Sequence, residues 1–444
     1  MELAELAVKK ALKLKATEAE AYVQRTKSVM VEFDQKIASF KTVESVGIGL
    51  RVALGKKIAM YSTSILNAKE VDEAVAKAVK IATAAPEDPD WKHLNKKFGK
   101  APAEGYYDSK LESLDYQEIV GRLTSSVKLI GEYDKRVKPT RGVLYIAISN
   151  VAIANCYEES VERKETNVTV WMRTKIAVAG LESTGNEHQE ARFWKEMAFE
   201  DLAVKAAEKA VKFLKAKPIP SGKTSLIMRN QIFANILGGL LGPPINADWV
   251  QKGRSPLANK LSTQIASESV TVVDDGLMKG GWGTKPFDDD GCPAQRTPVV
   301  EKGVLKNYLY DTYTALKANT KSTGNALRQA YWLKPSPAPT NLVLKPGDMK
   351  AEEMIRETKR GIYVDTTIGE WLSNPVSGNL NATISHGYLV KDGELKEPIK
   401  GVVISGNFYE LLRKGMECVG KDLRNSAENY SPTVKLAEVT VAGE

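Results

Sequence analysis

Histidine and cysteine are scarce, at three each in 444 residues. Cys156, Cys292 and Cys418 are odd in number and far apart, which argues against a disulfide framework and fits a reducing compartment. Among His93, His188 and His386 no pair stands at i, i+4, and no Cys-x-x-Cys occurs. A zinc site needs three or four ligands, usually with at least two close in sequence, so a self-contained metal site is not expected. Long apolar runs are also missing. Nothing approaches the ~18 residues of a membrane span, and the N-terminus lacks the uninterrupted apolar core of a signal peptide. The default is a cytoplasmic protein without membrane contact. Dense blocks of one charge are absent as well. The net charge is +8, from 63 Lys and Arg against 55 Asp and Glu, and the excess is diffuse. A phosphate-tracking surface would concentrate it, so nucleic acid is not the expected partner.

What is there is ordinary globular material, 43% hydrophobic and 27% charged, in a chain long enough for two or three domains. Leu3, Leu6, Ala7, Ala11 and Leu14 predict an amphipathic helix over 2–15. Strand patterns follow at 20–26, 29–34, 37–43, 46–54 and 57–62, with a hairpin signal at Leu54-Gly55-Lys56-Lys57. Asn67 with Glu70 resembles a capping box opening a helix that Pro86 stops, and Asp115 with Glu118 opens a second to about 134. Strands are expected at 142–149, 151–157 and 166–180, a Lys- and Pro-rich loop at 86–110, and a helix at 199–215. Lys217-Pro218-Ile219-Pro220-Ser221-Gly222 is the candidate linker, because two prolines exclude regular structure. Beyond it Gly and Asp become frequent, with short strands at 225–229, 269–273, 304–310, 341–345, 384–390 and 399–405. The expectation is an α+β protein. An N-terminal domain, 1–217, is a helix-flanked antiparallel sheet; a C-terminal domain, 222–444, is glycine-rich and mainly antiparallel β.

Each chemical signal has a plainer reading beside it. Ser221-Gly222-Lys223-Thr224 has the tail of a phosphate-binding loop, but Lys217 stands where that loop needs glycine. Asp274-Asp275-Gly276 and Asp288-Asp289-Asp290-Gly291 could hold Ca²⁺ or Mg²⁺. Asp-Gly also makes tight turns without metal, and such acids could face a polypeptide channel. Ser322-Thr323-Gly324-Asn325 before Arg328 has no histidine partner at recognisable spacing, so a serine nucleophile is unsupported. His93 and His188 read as solvated residues of polar loops. His386 and Cys418 could meet, but a third metal ligand would have to be a carboxylate.

An ordered series of segments resembles the PmbA/TldD family. It runs from Val272-Val273-Asp274-Asp275-Gly276 and Pro286-Phe287-Asp288-Asp289-Asp290-Gly291 through Ser322-Thr323-Gly324-Asn325-Ala326. It continues with Gly361-Ile362-Tyr363-Val364, His386-Gly387-Tyr388-Leu389-Val390, Ile404-Ser405-Gly406-Asn407 and Val419-Gly420-Lys421-Asp422. The resemblance covers nearly all of 220–444, and the strand-rich start fits it too. It implies a two-component metalloprotease whose catalytic, TldD-type subunit carries a His-Glu-x-x-x-His helix and a late cysteine. Two histidines a helical turn apart converge on zinc, and the glutamate between them can activate its water. Aligned on Asp248-Trp249, the first histidine position falls on Gly238, the glutamate on Gly239 and the second histidine on Pro243, which should also end the helix begun near Asn230. The cysteine position falls on Val419, with Cys418 one residue away.

The resemblance therefore implies a TldE (PmbA)-type subunit without a metal or cofactor of its own. It would be inactive until paired with a TldD-type subunit that holds zinc, or would form a homodimer when alone, and would act on unfolded peptides. Asp274, Asp275, Asp288, Asp289, Asn325, Arg328, His386 and Cys418 are its expected cleft or interface residues. Two other readings stay open. One is a stand-alone metallohydrolase built on His386 and Cys418. The other, following the family's label as modulator of DNA gyrase, is a regulatory binding protein.

Overall fold

The structure is a computed structural model and describes residues 1–443. It begins with α1 (Glu2–Lys13), whose Ala4, Ala7 and Ala11 are buried. The long strands β1 (Glu18–Phe33) and β2 (Ile37–Leu54) follow, then β3 (Lys57–Thr63) and α2 (Ala68–Ala84). A short α3 (Ser109–Glu112) leads to α4 (Tyr116–Tyr133), β4 (Lys138–Asn155), β5 (Ser160–Val178), β6 (Leu181–Ala191) and α5 (Phe199–Lys212). The six strands form one antiparallel sheet in the order β3-β2-β1-β4-β5-β6. Segments expected as separate strands merge, because β1 and β2 pair continuously from Glu18↔Ala53 to Glu32↔Ser39. Small residues of α1 and α2, such as Ala7, Ala74 and Ala78, pack on Ile48, Leu50 and Val52. Leu123 of α4 and Phe199 of α5 pack with Val31, Leu144, Val168 and Val170.

The expected helix starts hold. The Asn67 side chain accepts from the Glu70 N–H at 2.9 Å and that of Asp115 from the Gln117 N–H at 3.3 Å. Strand β6 was not expected. Its sequence, LESTGNEHQEA, is almost wholly polar, yet it pairs with β5 from Val168↔Ala191 to Val178↔Leu181. Gly185 explains how α5 can cover it, since a Cβ there would lie 2.0 Å from the Ala206 carbonyl oxygen.

From residue 222 the chain builds β7 (Gly222–Met228), α6 (Asn230–Leu241), β8 (Val272–Asp275), β9 (Arg296–Glu301) and β10 (Val304–Leu305). Then come β11 (Ala326–Leu327), β12 (Ser336–Pro337), β13 (Leu342–Leu344), β14 (Arg360–Ile368), β15 (Asn379–Lys391), β16 (Glu394–Ile399) and β17 (Val402–Asn407). The last are β18 (Met416–Val419), β19 (Arg424–Ser426), β20 (Asn429–Ser431) and β21 (Val434–Ala442). One sheet runs β14-β7-β21-β17-β15-β16, with β18 on β21, and β14 also pairs with β15. That extra pairing closes β14, β7, β21, β17 and β15 into a ring. A second sheet runs β10-β9-β8-β13-β20-β19. Phe233, Ile236, Leu237, Leu240 and Leu241 of α6 enter the core with Leu226, Ile362, Ile404 and Val434 from the ring. The molecule is thus an α+β protein with an N-terminal antiparallel sheet and a mainly β C-terminal part.

Candidate functional site

Helix α6 is where the metal helix of a catalytic relative is expected, and its position is fixed at both ends. The Asn230 side-chain amide donates to the Asp422 carbonyl at 2.8 Å and to its carboxylate at 2.9 Å. At the other end Pro243 opens a short 3₁₀ turn, so the helix stops at Leu241 as its proline dictates. One stripe of the helix stays open: Asn235 and Gly239 are exposed, and Ile232 and Gly238 are half-buried.

A cleft of about 160 Å³ lies over the first half of this stripe. Its N-terminal-domain wall carries Asn186, Glu187 and His188 of β6 with Lys209 of α5; the other wall carries Arg229, Ile232, Asn235 and Asp365 to Thr367. Four charges meet in it. Lys209 Nζ stands 2.5 Å from Glu187 and 2.7 Å from Asp365, and Arg229 Nη1 stands 3.1 Å and 3.3 Å from the same two carboxylates. Burial pushes the Glu187 carboxyl up, but Lys209 and Arg229 outweigh it and hold it down at about 2. Burial also pulls His188 below the ordinary imidazole range, which keeps its ring neutral. His188 is therefore not a solvated loop residue. The strand edge here is open too: β7 pairs with β14 only as far as Met228↔Val364, while β14 continues to Ile368 against β15. Among the described residues no strand lies beside 365–368 on that edge, the arrangement that accepts an extended peptide.

The chemistry of the donor set decides whether this region fits zinc. Gly238, Gly239 and Pro243 carry no ligand atoms. The space a side chain at 238 would take is filled, because a Cβ would lie 2.3 Å from the Asn429 side chain, whereas a Cβ on Gly239 meets nothing within 4 Å. Val419, on β18, is 7% exposed and belongs to the apolar core. Cys418 projects to the opposite face of that strand, where its sulfur lies 3.6 Å from Met349 Sδ. The region does not fit a zinc ion, and among the described residues no three His, Cys, Asp or Glu side chains are grouped to hold one. His386, on β15 opposite Thr366, sits behind the cleft, with Nε2 2.7 Å from the Thr184 carbonyl and its ring edge-on to Phe213. The structure does not bring His386 and Cys418 together.

Of the remaining expected site residues, Asp289 and Arg328 sit in a buried junction with the N-terminal sheet, and Asp274, Asp288 and Asn325 are buried beside it within the C-terminal part. Asp274 accepts from the Asn325 side-chain amide at 2.6 Å and the Thr340 N–H at 2.7 Å. Asp288 accepts the N–H groups of Asp290, Cys292 and Ala326, which ties the Asp-Asp-Asp-Gly turn into shape. Asp289 pairs with Arg163 of β5 at 2.6 Å and accepts the Arg328 N–H at 2.7 Å. Arg328 pairs with Glu20 of β1 and lies over the Tyr22 ring, and Asp290 pairs with Arg51 of β2 at 2.8 Å. All of these are buried. Asp275 is half-buried and pairs with Arg296 at 3.1 Å. Sequence reasoning missed the partners Glu20, Arg51 and Arg163, as well as Glu187, His188, Arg229 and Asp365. Charged residues at inward strand positions were the one available signal.

Residues 221–443 match the PmbA/TldA metallopeptidase C-terminal domain, and residues 19–82 match the PmbA/TldA metallopeptidase domain 1. The chain belongs to the PmbA/TldD family. A metalloprotease of Methanocaldococcus jannaschii is 27% identical over 399 residues, covering 88% of this chain and 87% of that one. Matches to two other curated metalloproteases of the family span about half of each chain. Among solved structures, a proposed modulator of DNA gyrase from Thermotoga maritima superposes with a TM-score of 0.86 at 25% identity, over 99% of both chains. TldE from Thermococcus kodakarensis shares the fold with a TM-score of 0.91 at 24% identity, over 99% of this chain and 100% of that one.

Proposed function

We propose that this chain is the TldE (PmbA)-type, non-catalytic subunit of a two-component metalloprotease, which pairs with a TldD-type zinc subunit to cleave unfolded peptides. The observation that carries the reading is the surface of α6. It lies where the resemblance puts a metal helix but offers glycines and a proline at the aligned ligand positions, with Asn429 filling the space beside Gly238. The cleft above it remains open, and the free edge of β14 can hold an extended chain through backbone groups, which favours disordered substrates of broad sequence. In this reading the chain's own residues bind and orient the peptide, and the partner supplies the metal that activates water.

The test mixes the purified chain with a zinc-loaded TldD-type subunit and an unfolded peptide. Cleavage that requires both chains and stops with a chelator is the expected result. Chelator-sensitive cleavage by this chain alone overturns the proposal.

A further inference from the structure

Folded proteins turn most large apolar side chains inward, so a cluster of them held outward marks a surface that something covers. Between residues 368 and 376 this chain exposes Ile368, Trp371, Leu372 and Val376. No other stretch of that length exposes as many large apolar side chains among the described residues. Trp371 at 73% and Leu372 at 64% are the two most exposed of them. The segment connects β14 to β15. It turns at Gly369, whose φ of 92° is left-handed, and then forms the 3₁₀ turn Glu370–Leu372.

The loop is pinned from within. The Asn374 N–H donates to the Asn379 carbonyl at 2.8 Å, and Ser373 Oγ accepts the Asn381 N–H at 2.9 Å. The Tyr409 hydroxyl donates to the Pro375 carbonyl at 2.6 Å and also lies 3.1 Å from the Leu240 carbonyl, which sets the loop beside α6. The 3₁₀ turn itself touches α6, and its Glu370 lines the α6 cleft together with Thr367. The edge residues 365–368 span about 13 Å, so one end of a chain paired along them meets Trp371 and Leu372. The charges of the cleft select little, because Lys209 and Arg229 are matched by Glu187 and Asp365. Backbone pairing along the edge is blind to sequence. The apolar loop is the part of this groove that can choose among side chains.

We infer that Trp371 and Leu372, with Ile368, form a subsite for one large apolar side chain of an extended peptide held on the β14 edge. This rests on the reading of the α6 cleft as a peptide site and names the class of peptide it takes. An unfolded chain exposes the leucines and aromatic residues that a folded protein buries. The subsite therefore adds a preference for unfolded substrates to a backbone edge that has none. A peptide side chain is the occupant of the right size. A stable subunit interface takes about 800 Å² from each partner, and a few apolar side chains set among Glu370, Ser373, Asn374 and Ser377 fall short of that. The pinned loop also suits a peptide, since only the incoming chain has to be ordered.

The experiment measures binding to the full chain alone, without cleavage, by fluorescence anisotropy of labelled Gly-Ser peptides of about ten residues. One carries a central leucine, one a phenylalanine, one an aspartate, and one only glycine and serine. The leucine and phenylalanine peptides should bind at least about tenfold more tightly than the plain Gly-Ser peptide, the least that burying one such side chain supplies. The aspartate peptide should bind no more tightly than the plain one. Trp371→Ser combined with Leu372→Ser should bind all of them alike. Both side chains are exposed, so this variant should melt with wild type; if it does not, the ranking of the peptides on the unaltered chain still decides. Equal affinity for the leucine and plain peptides, no binding of any peptide, or a leucine preference that survives in the double variant overturns the inference. So does failure of the double variant to co-elute with a TldD-type subunit that the wild type captures, because the loop is then a subunit contact. The subunit reading itself is judged by partner-dependent cleavage, so either can fail while the other stands.

Discussion

At the scale of single residues, two buried aspartates in and beside the junction are handled in opposite ways. Burial pushes the Asp289 carboxyl up, but Lys285 and Arg163 outweigh it and hold it at about 2. It is stabilising above the ordinary aspartate range, and that contribution is lost as pH falls from about 4 towards 2. Asp289→Asn keeps the shape and removes the charge, leaving Arg163 buried without its close partner. A loss of about 3–5 kcal/mol is expected, read as a lower urea midpoint with unchanged slope. A loss below about 1 kcal/mol would show that the pair is not what holds this position. Among the described residues Asp274 has no cation beside it; burial raises its carboxyl to about 6 against the hydrogen bonds from Asn325 and Thr340. The folded state then keeps a proton that the unfolded chain releases near pH 4, so this residue subtracts stability as pH rises from about 4 to about 6. Compared with wild type, Asp274→Asn should gain about 3 kcal/mol of relative stability across that interval and nothing further above it. Parallel pH curves for the two proteins would contradict the assignment.

At the scale of elements, α6 offers an internal control in its adjacent glycines. Glycine in a helix costs about 0.5–1 kcal/mol relative to alanine. Gly239 opens onto free space, so Gly239→Ala should recover about that amount. Gly238→Ala should not, because its Cβ would meet the Asn429 side chain at 2.3 Å, and overpacking typically costs about 1–3 kcal/mol. Thermal melts of the two variants should move in opposite directions; two shifts of the same sign would mean that Asn429 gives way freely. The same helix shows how much was legible in advance. Its start and its end at Pro243 follow from residue types alone, as do the caps at Asn67 and Asp115. Strand β6 was illegible, since its inward positions are Ser183, Gly185 and Glu187, which carry no hydrophobic alternation. The cleft was lost with it, because Glu187 and His188 sit on that strand. Asp288 and Asp289 were singled out by their clustering, but their setting depends on Arg163 and Arg328, which are 126 and 39 residues from Asp289. Pairings at such separations are set by the sheet register, which no local pattern reveals.

At the scale of the whole molecule, the question is what makes two domains one cooperative unit. The large apolar clusters do not cross the seam: one is built from residues 219 onward, and the other two from residues up to 214. What crosses it are polar and aromatic contacts: the ionic junction, the Lys209–Glu187–Arg229–Asp365 cluster, the His386–Thr184 hydrogen bond, the Trp91–Tyr313 stack, and a small mixed cluster in which Phe287, fully buried, packs with Tyr22, Phe98, Ile153 and Val161. The Arg163 guanidinium lies 4.9 Å from the centre of the Phe287 ring, so the aromatic side chain also covers the Arg163–Asp289 pair and keeps water from it. The whole chain should therefore unfold in a single calorimetric transition, with coupling that depends on Phe287. Phe287→Ala should cost about 3–5 kcal/mol as a core truncation, but its larger effect should be on cooperativity. Water admitted to the junction weakens its ion pairs, the seam opens first, and the transition should divide into two, each with the enthalpy of one domain. A Phe287→Leu variant, which retains most of the covering volume, should melt earlier than wild type yet in one step. If Phe287→Ala also melts in one step, the domains are coupled through some other contact, and the buried charges are passengers in the seam rather than its fastening.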